Sequence, residues 1–249
     1  MHTVLLILCG LVIGFILISL GMGAALYIGC LITLFHLPDK TAAASALVVT
    51  LPALIIGTLL YRRKQTINYH LGNKLLCWAI LGTIGGSLIV PIVNQHVYHR
   101  IVSLILIILA LTILAHSIFD SRIKHPSHLH QQTHHWLANL AGVVSGVMIG
   151  LAGMSGGGPL VAGMLLLDAP IAQAAATSSY IRVWTTILGI GLHFHTMTIA
   201  WHPVFLMTIG TVIGASLAPI VMQKIGIQKD RFSKIMKPII ALILLYMGL

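Results

Sequence analysis

Long apolar runs separated by short polar steps make up most of this chain. The runs cover residues 3–35, 41–61, 71–93, 101–119, 137–167, 172–192, 204–222 and 238–249. About 20 apolar residues span a bilayer as a helix, and the runs lack the polar/apolar alternation of barrel strands. The pattern therefore predicts an all-α polytopic membrane protein with about eight transmembrane helices.

Two of these runs are too long for one helix, and glycines interrupt both. The first contains Ser19-Leu-Gly-Met-Gly23, and the second contains Gly150-Leu-Ala-Gly-Met-Ser-Gly-Gly-Gly-Pro159. Glycine tolerates positive φ, and proline is favoured in the first turn of a helix. Each interruption therefore predicts a broken or re-entrant helix, with a new helix starting near Pro159 in the second run.

The second half of the sequence repeats the first at a nearly constant shift. One shift, the larger, aligns Gly14 with Gly146, Pro38 with Pro170 and Ser45 with Thr177. Further along, a slightly smaller shift aligns the motif Gly82-Thr83 with Gly210-Thr211. We therefore predict a first transmembrane repeat at 1–119, a His-rich polar linker at 120–136 and a second repeat at 137–249, each repeat with four helices. Paired broken helices in two halves are typical of secondary transporters.

The distribution of Lys and Arg predicts that the two halves are inverted. If each interrupted run crosses the membrane once, six of these residues fall on one side and seven on the other, with no bias. If each interrupted run enters and leaves the membrane on the same side, the loops 61–74, 120–136 and 223–237 lie on one face. These loops contain eleven Lys and Arg, and the other face keeps Lys40 and Arg100. The positive-inside rule favours the second arrangement.

Composition excludes a soluble protein. Of the residues, 58% are hydrophobic and 7% are charged, and the mean hydropathy is +1.01. The formal charge is +10. In a membrane protein this charge fits basic cytoplasmic loops and an anion-attracting permeation route better than nucleic-acid binding. We expect no nucleic-acid partner, no cofactor and, since no Walker or hydrolase motif occurs, no enzymatic activity.

The glycine turn of the second half is the main candidate for a substrate site. Ser155, Gly156, Gly157 and Gly158 precede a helix start, where backbone N–H groups and the helix dipole favour an anion. Close helix packing is the alternative explanation for the glycines. The repeat-equivalent positions Gly21, Gly23 and Ser45 are weaker candidates, because Gly23-Ala24-Ala25-Leu26 replaces the glycine triplet there.

Three side chains of the following run are further candidates. Thr177 and Ser178 can donate hydrogen bonds to an anion, or they can bond to carbonyls of their own helix. Arg182 lies inside an apolar run, where charge is costly and usually functional. It either contacts the substrate anion, pairs with Asp168, or reaches the interface.

The histidines leave a second function open. The middle segment contains His125, His128, His130, His134 and His135, which either bind a metal cation or lie in a solvated loop. His193 and His195 lie near the end of a run, where they are either proton-coupling groups or interfacial residues. We expect no metal site, and we keep a Ni/Co/Zn-type cation transporter and a non-transporting membrane scaffold as alternatives.

The sequence resembles the TauE/SafE sulfite exporter family over essentially its whole length. The resemblance rests on Gly150–Pro159, on Ala174-Ala-Ala-Thr-Ser-Ser179 and on Gly210-Thr-Val-Ile-Gly-Ala-Ser-Leu217. It implies an eight-helix permease of the inner (plasma) membrane for small sulfur-containing or carboxylate anions. The expected partners are thus a small anion and the lipid bilayer, and association into a homodimer is left open.

Overall fold

The computed structural model is helical throughout the part of the chain that it describes. That part comprises residues 2–20, 24–63, 66–119, 131–154, 156–167, 169–194, 198–224, 238–239, 242–243 and 245–246. The helices are α1 (His2–Leu20), α2 (Ala24–Thr33), α3 (Asp39–Arg63), α4 (Tyr69–Ile89), α5 (Gln95–Phe119), α6 (Gln131–Ala152), α7 (Gly157–Leu165), α8 (Ile171–His193) and α9 (Trp201–Lys224). No strand occurs within these ranges.

Four of the described helices are long and apolar enough to cross a membrane. They lie at Asp39–Arg63, Tyr69–Ile89, His135–Ala152 and Trp201–Ala218, and shorter apolar helices lie at Thr3–Ser19, Ala24–Thr33 and Gln95–Ile108. Large apolar side chains such as Leu81, Leu88 and Phe205 are exposed on the outside of the bundle, as a lipid-facing surface requires. The chain is thus an all-α membrane protein, while the number of eight spans stays a prediction.

The two interrupted runs are each divided into a long and a short helix. The first is divided between α1 and α2, and the second between α6 and α7. Helix α6 begins at Gln131, inside the segment expected to be a polar linker, so its first turns include His134 and His135. The expected break in each half is therefore present.

Two pairs of helices pack in parallel along rows of glycines. In the first pair, a Cβ on Gly10 or Gly14 of α1 would overlap the backbone of Met207 or Thr211 of α9. In the second, a Cβ on Gly142, Gly146 or Gly150 of α6 would contact or overlap the backbone of α4 at positions that advance from 75 to 87. Such close approach is possible only without side chains.

These pairs exchange partners between the halves. Gly10 and Gly14 are the repeat equivalents of Gly142 and Gly146 at the larger shift, and Gly82 is the equivalent of Gly210 at the smaller one. Gly82 packs on the backbone of α6 in the way that Gly210 packs on α1. The first helix of each half (α1 or α6) thus lies against the helix that follows the central helix of the other half (α9 or α4), and the contacts are the same in both pairs.

Helices α3 and α8 run in opposite directions through the centre of the bundle. Gly189 of α8 faces Leu47 of α3, and Thr177, earlier in α8, binds the backbone N–H of Asn68, which follows the end of α3. Both helices have long buried stretches of small side chains, including Ala42, Ala46, Ala174 and Ala176. This central antiparallel pair places the α6–α7 turn against the start of α3.

Candidate functional site

The turn between α6 and α7 is built by one glycine in a left-handed conformation. Gly153 has a φ of 62°, and its N–H donates to the carbonyl of Ile149 at 3.0 Å. The bond from the Gly153 N–H is the 5→1 bond of an αL helix end, and the Met154 N–H donates to the carbonyl of Met148 at 3.3 Å. A Cβ on Gly153 would also overlap the carbonyl of Ala43 in α3, so both the conformation and the packing require glycine.

Side chains from three other helices bind the last carbonyls of α6. The carbonyl of Gly150 contacts Ser87 Oγ at 3.2 Å and His193 Nε2 at 2.6 Å, and the Tyr98 hydroxyl donates to the carbonyl of Leu151 at 2.7 Å. Carbonyls at a helix end have no partner within the helix. Helices α4, α5 and α8 therefore fix the position of the turn together.

His193 is buried at this turn. Only 2% of its surface is exposed, because its ring lies on the Gly150 carbonyl. The sequence left His193 between a proton-coupling and an interfacial role, and no signal in the sequence indicated a carbonyl of α6 as its partner. His195 lies outside the described residues.

Helix α7 folds back along α6 from this turn. A Cβ on Gly156 would overlap Ser145 of α6, and a Cβ on Gly163 would contact Ala138 and Ala141, so residue numbers fall along α6 as they rise along α7. The two helices thus form a hairpin, which we call the second-half hairpin (131–165).

The start of α7 presents backbone N–H groups that its helix does not use. Gly156 is the N-cap and has no side-chain capping bond, and the first backbone bond recorded for the helix runs from the Leu160 N–H to the Gly156 carbonyl at 3.3 Å. Gly157 is buried, Gly158 is half-buried with open space beside it, and Pro159 has no N–H. The N–H groups of Gly157 and Gly158 thus form a potential anion cradle.

Arg182 lies on the part of α8 that is next to α7. Its side chain is 1% exposed, and the preceding residue, Ile181, shares an apolar cluster with Leu160 and Met164 of α7. Low-dielectric surroundings screen a buried guanidinium weakly, and Arg182 lies eleven residues, or about 16 Å along the helix, before His193 at the turn. Asp168, one of the alternative partners of Arg182, and the candidate Ser155 lie outside the described residues.

The two hydroxyls near Arg182 are used elsewhere in the structure. Thr177 Oγ1 accepts the backbone N–H of Asn68 at 2.9 Å, and Ser178 Oγ donates to the Ala175 carbonyl of its own helix at 2.9 Å. Thr177 lies four to five helical turns, or about 24 Å along the helix, from His193 at the turn. The described hydrogen bonds therefore connect Thr177 and Ser178 to structural partners and not to the start of α7.

The first half has no equivalent cradle in its described part. Ala24, Ala25 and Leu26 occupy the positions of Gly156, Gly157 and Gly158 and are buried. Ser45 Oγ accepts the backbone N–H of Ala200 at 3.1 Å, and Gly21 and Gly23 lie outside the described residues. Among the described residues, the potential anion cradle therefore lies in the second half.

No metal-binding group is present in the part of the chain described here. Within it, no three His, Cys, Asp or Glu side chains come close enough to hold an ion. His125, His128 and His130 of the middle segment lie outside the described residues. The buried carboxylate of Asp39 instead bonds to His99 at 3.1 Å and to Gln95 at 3.2 Å at the start of α3.

Comparison with known proteins gives one match. The family model described as Sulfite exporter TauE/SafE matches residues 6–249. Neither the curated proteins nor the solved structures that were compared with the chain contain a significant match. The match covers both halves and the segment that joins them. The chain therefore belongs to the sulfite exporter TauE/SafE family of membrane transporters.

Proposed function

We propose that this protein is a secondary transporter, a permease or exporter, for small anions such as sulfite, sulfonates or related sulfur-containing or organic anions. The observation that supports it most directly is the start of α7, where the described residues include no hydrogen-bond partner for the backbone N–H groups of Gly157 and Gly158. Half-helix N-termini that point at anionic groups are a recurrent feature of transporter sites. Family membership favours sulfur anions among the possible substrates.

Arg182 supports the assignment of an anion over a cation. A positive charge buried in α8, the helix that follows the second-half hairpin, disfavours a cation nearby and favours an anion. The four acidic residues of the chain are all Asp, and the described one, Asp39, already bonds to His99 and Gln95. The proposed site thus consists of the Gly157 and Gly158 N–H groups with Arg182 as the source of positive potential.

The proposed topology has inverted halves in the inner (plasma) membrane. Helix α3 ends at the end of the bundle where α4 begins, and α6 runs parallel to α4, so α6 also begins at that end. Since α8 is antiparallel to α3, α9 also ends there, at Lys224. The helix directions thus support one basic face, which we assign to the cytoplasm.

The test is a glycine replacement at the start of α7 with a matched control. Gly157→Leu adds a bulky side chain at the buried first residue of α7 and should reduce sulfite flux in proteoliposomes to the background level, while the protein stays folded. Gly191→Leu places the same side chain on α8, where nothing lies within 4 Å of the added Cβ, and should transport normally. Wild-type flux in a folded Gly157→Leu variant would exclude the proposed site.

A further inference from the structure

Ser145 is a buried residue whose hydroxyl has no hydrogen-bond partner within the described part of the chain. The residue is 0% exposed. Hydroxyls elsewhere in these helices bond to carbonyls of their own helix, as Thr50, Thr83 and Ser179 do. A buried polar group without a partner is costly, so such a hydroxyl at this position requires an explanation.

The Ser145 hydroxyl lies directly against the start of α7. A Cβ on Gly156 would overlap the Oγ atom and the backbone of Ser145. Glycine at the N-cap therefore lets the first turn of α7 approach this hydroxyl. Beyond it, Gly158 borders open space. The hydroxyl and the unused N–H groups of Gly157 and Gly158 are thus adjacent donors on the two arms of the second-half hairpin.

The first half lacks this arrangement. At the larger repeat shift the equivalent of Ser145 is Ile13, and the equivalent of Gly156 is Ala24. Ile13 lines an apolar groove between α1 and α2, together with Leu26, the equivalent of Gly158. The fold therefore tolerates an apolar side chain at this position, and packing of the hairpin alone does not require a hydroxyl.

We propose that Ser145 is a substrate ligand, whose Oγ–H donates to an oxygen of the anion held by the α7 N-terminus. This inference rests on the proposed function and adds a side-chain donor that the sequence motif does not contain. Donors on both α6 and α7 suit a small oxyanion with at least two acceptor oxygens, such as sulfite. When the anion is bound, one of its oxygens accepts the hydrogen bond for which the Ser145 hydroxyl otherwise has no acceptor among the described residues.

The experiment measures sulfite affinity of purified protein by calorimetry for the wild type, Ser145→Ala, Ser145→Cys and Ser19→Ala. Ser19 is the matched control, because it is 2% exposed and its hydroxyl also has no partner within the described residues, but it lies in the first half. Loss of a hydrogen bond to a charged ligand should raise the Kd of Ser145→Ala by about tenfold to a hundredfold. Ser19→Ala should bind as the wild type does.

The cysteine variant separates hydrogen bonding from packing. A thiol is a weak donor that fills the space of the hydroxyl, so Ser145→Cys should lose affinity as Ser145→Ala does. Wild-type affinity in either variant overturns the role of Ser145 and leaves the proposed function intact. If the wild type binds none of sulfite, thiosulfate, taurine and acetate, the proposed function fails, and the role of Ser145 fails with it.

Discussion

The hydroxyl of Thr177 accepts a hydrogen bond from the backbone N–H of Asn68, and the equivalent bond joins Ser45 to Ala200. Ser45 and Thr177 are repeat equivalents at the larger shift, and so are Asn68 and Ala200. Each hydroxyl lies on a central helix of one half and holds the residue just before a helix of the other half. The two bonds thus connect the halves in a reciprocal manner, which gives both hydroxyls a structural role.

Replacing Thr177 with valine should destabilise the protein. Thr177→Val keeps the shape of the side chain but removes the acceptor, so the Asn68 N–H loses its partner at a cost of about 1 kcal/mol. The melting temperature of the purified protein should fall, and sulfite affinity should stay unchanged. The measurement is thermal unfolding with and without sulfite.

A second threonine of α8 provides the control for that comparison. Thr185 bonds to the Ile181 carbonyl of its own helix at 3.1 Å, and that carbonyl keeps its backbone partner when the hydroxyl is removed. Thr185→Val should therefore have the melting temperature of the wild type. An unchanged melting temperature together with weakened sulfite binding in Thr177→Val would instead identify Thr177 as a substrate ligand.

The glycine rows should be sensitive to the smallest side chain. A Cβ on Gly146 would overlap the carbonyl of Ala79 in α4, so Gly146→Ala forces the two helices apart at a cost of about 1–3 kcal/mol. Gly85→Ala on α4 adds the same methyl group where nothing lies within 4 Å. This control should be neutral or slightly stabilising, because alanine favours a helix over glycine by about 0.5–1 kcal/mol.

Thermal unfolding in detergent would measure the stability of both glycine variants, and size-exclusion chromatography would show whether each is correctly folded. Equal stability of Gly146→Ala and Gly85→Ala would show that α4 and α6 do not approach as closely as the structure describes.

Single-cysteine labelling tests the inverted topology. In a protein without Cys9, Cys30 and Cys77, His96→Cys near the start of α5 should react in intact cells with a maleimide that does not cross membranes. The exposed His96 lies at the end of the bundle opposite Arg63. His128→Cys, in the middle polar segment, and Lys229→Cys, in the basic segment 223–237, should both react only after the cells are permeabilised. Labelling of Lys229→Cys in intact cells would put that segment on the face of His96 and would contradict the inverted arrangement.

Much of the fold follows from the order of apolar runs and glycines. The breaks after Leu20 and after Ala152 were predictable because glycines interrupt runs too long for one helix, and the helix bounds differ from the runs by a few residues at most ends. The start of α6 was harder to predict, because residues 131–135 are polar and yet form the first turn of this otherwise apolar helix.

The candidate site was only partly predictable, for a physical reason. Gly156, Gly157 and Gly158 have a local signature, so the motif itself indicates the start of α7. Ser145 has none, because a single serine in an apolar helix is common and its burial against Gly156 depends on the return of α7. The partners of Thr177 and Ser45 lie in the other half of the chain, and a contact at that distance leaves no local pattern.

The exchange of helices between halves has a consequence for biogenesis. Helix α1 is synthesised well before α9, whose backbone packs on Gly10 and Gly14. Until α9 has been made, this glycine surface lacks the helix that it contacts in the structure. Contacts between segments so distant in sequence slow folding. Insertion and assembly of this protein are therefore separate events, and nascent chains truncated before residue 201 lack the partner that completes the first half.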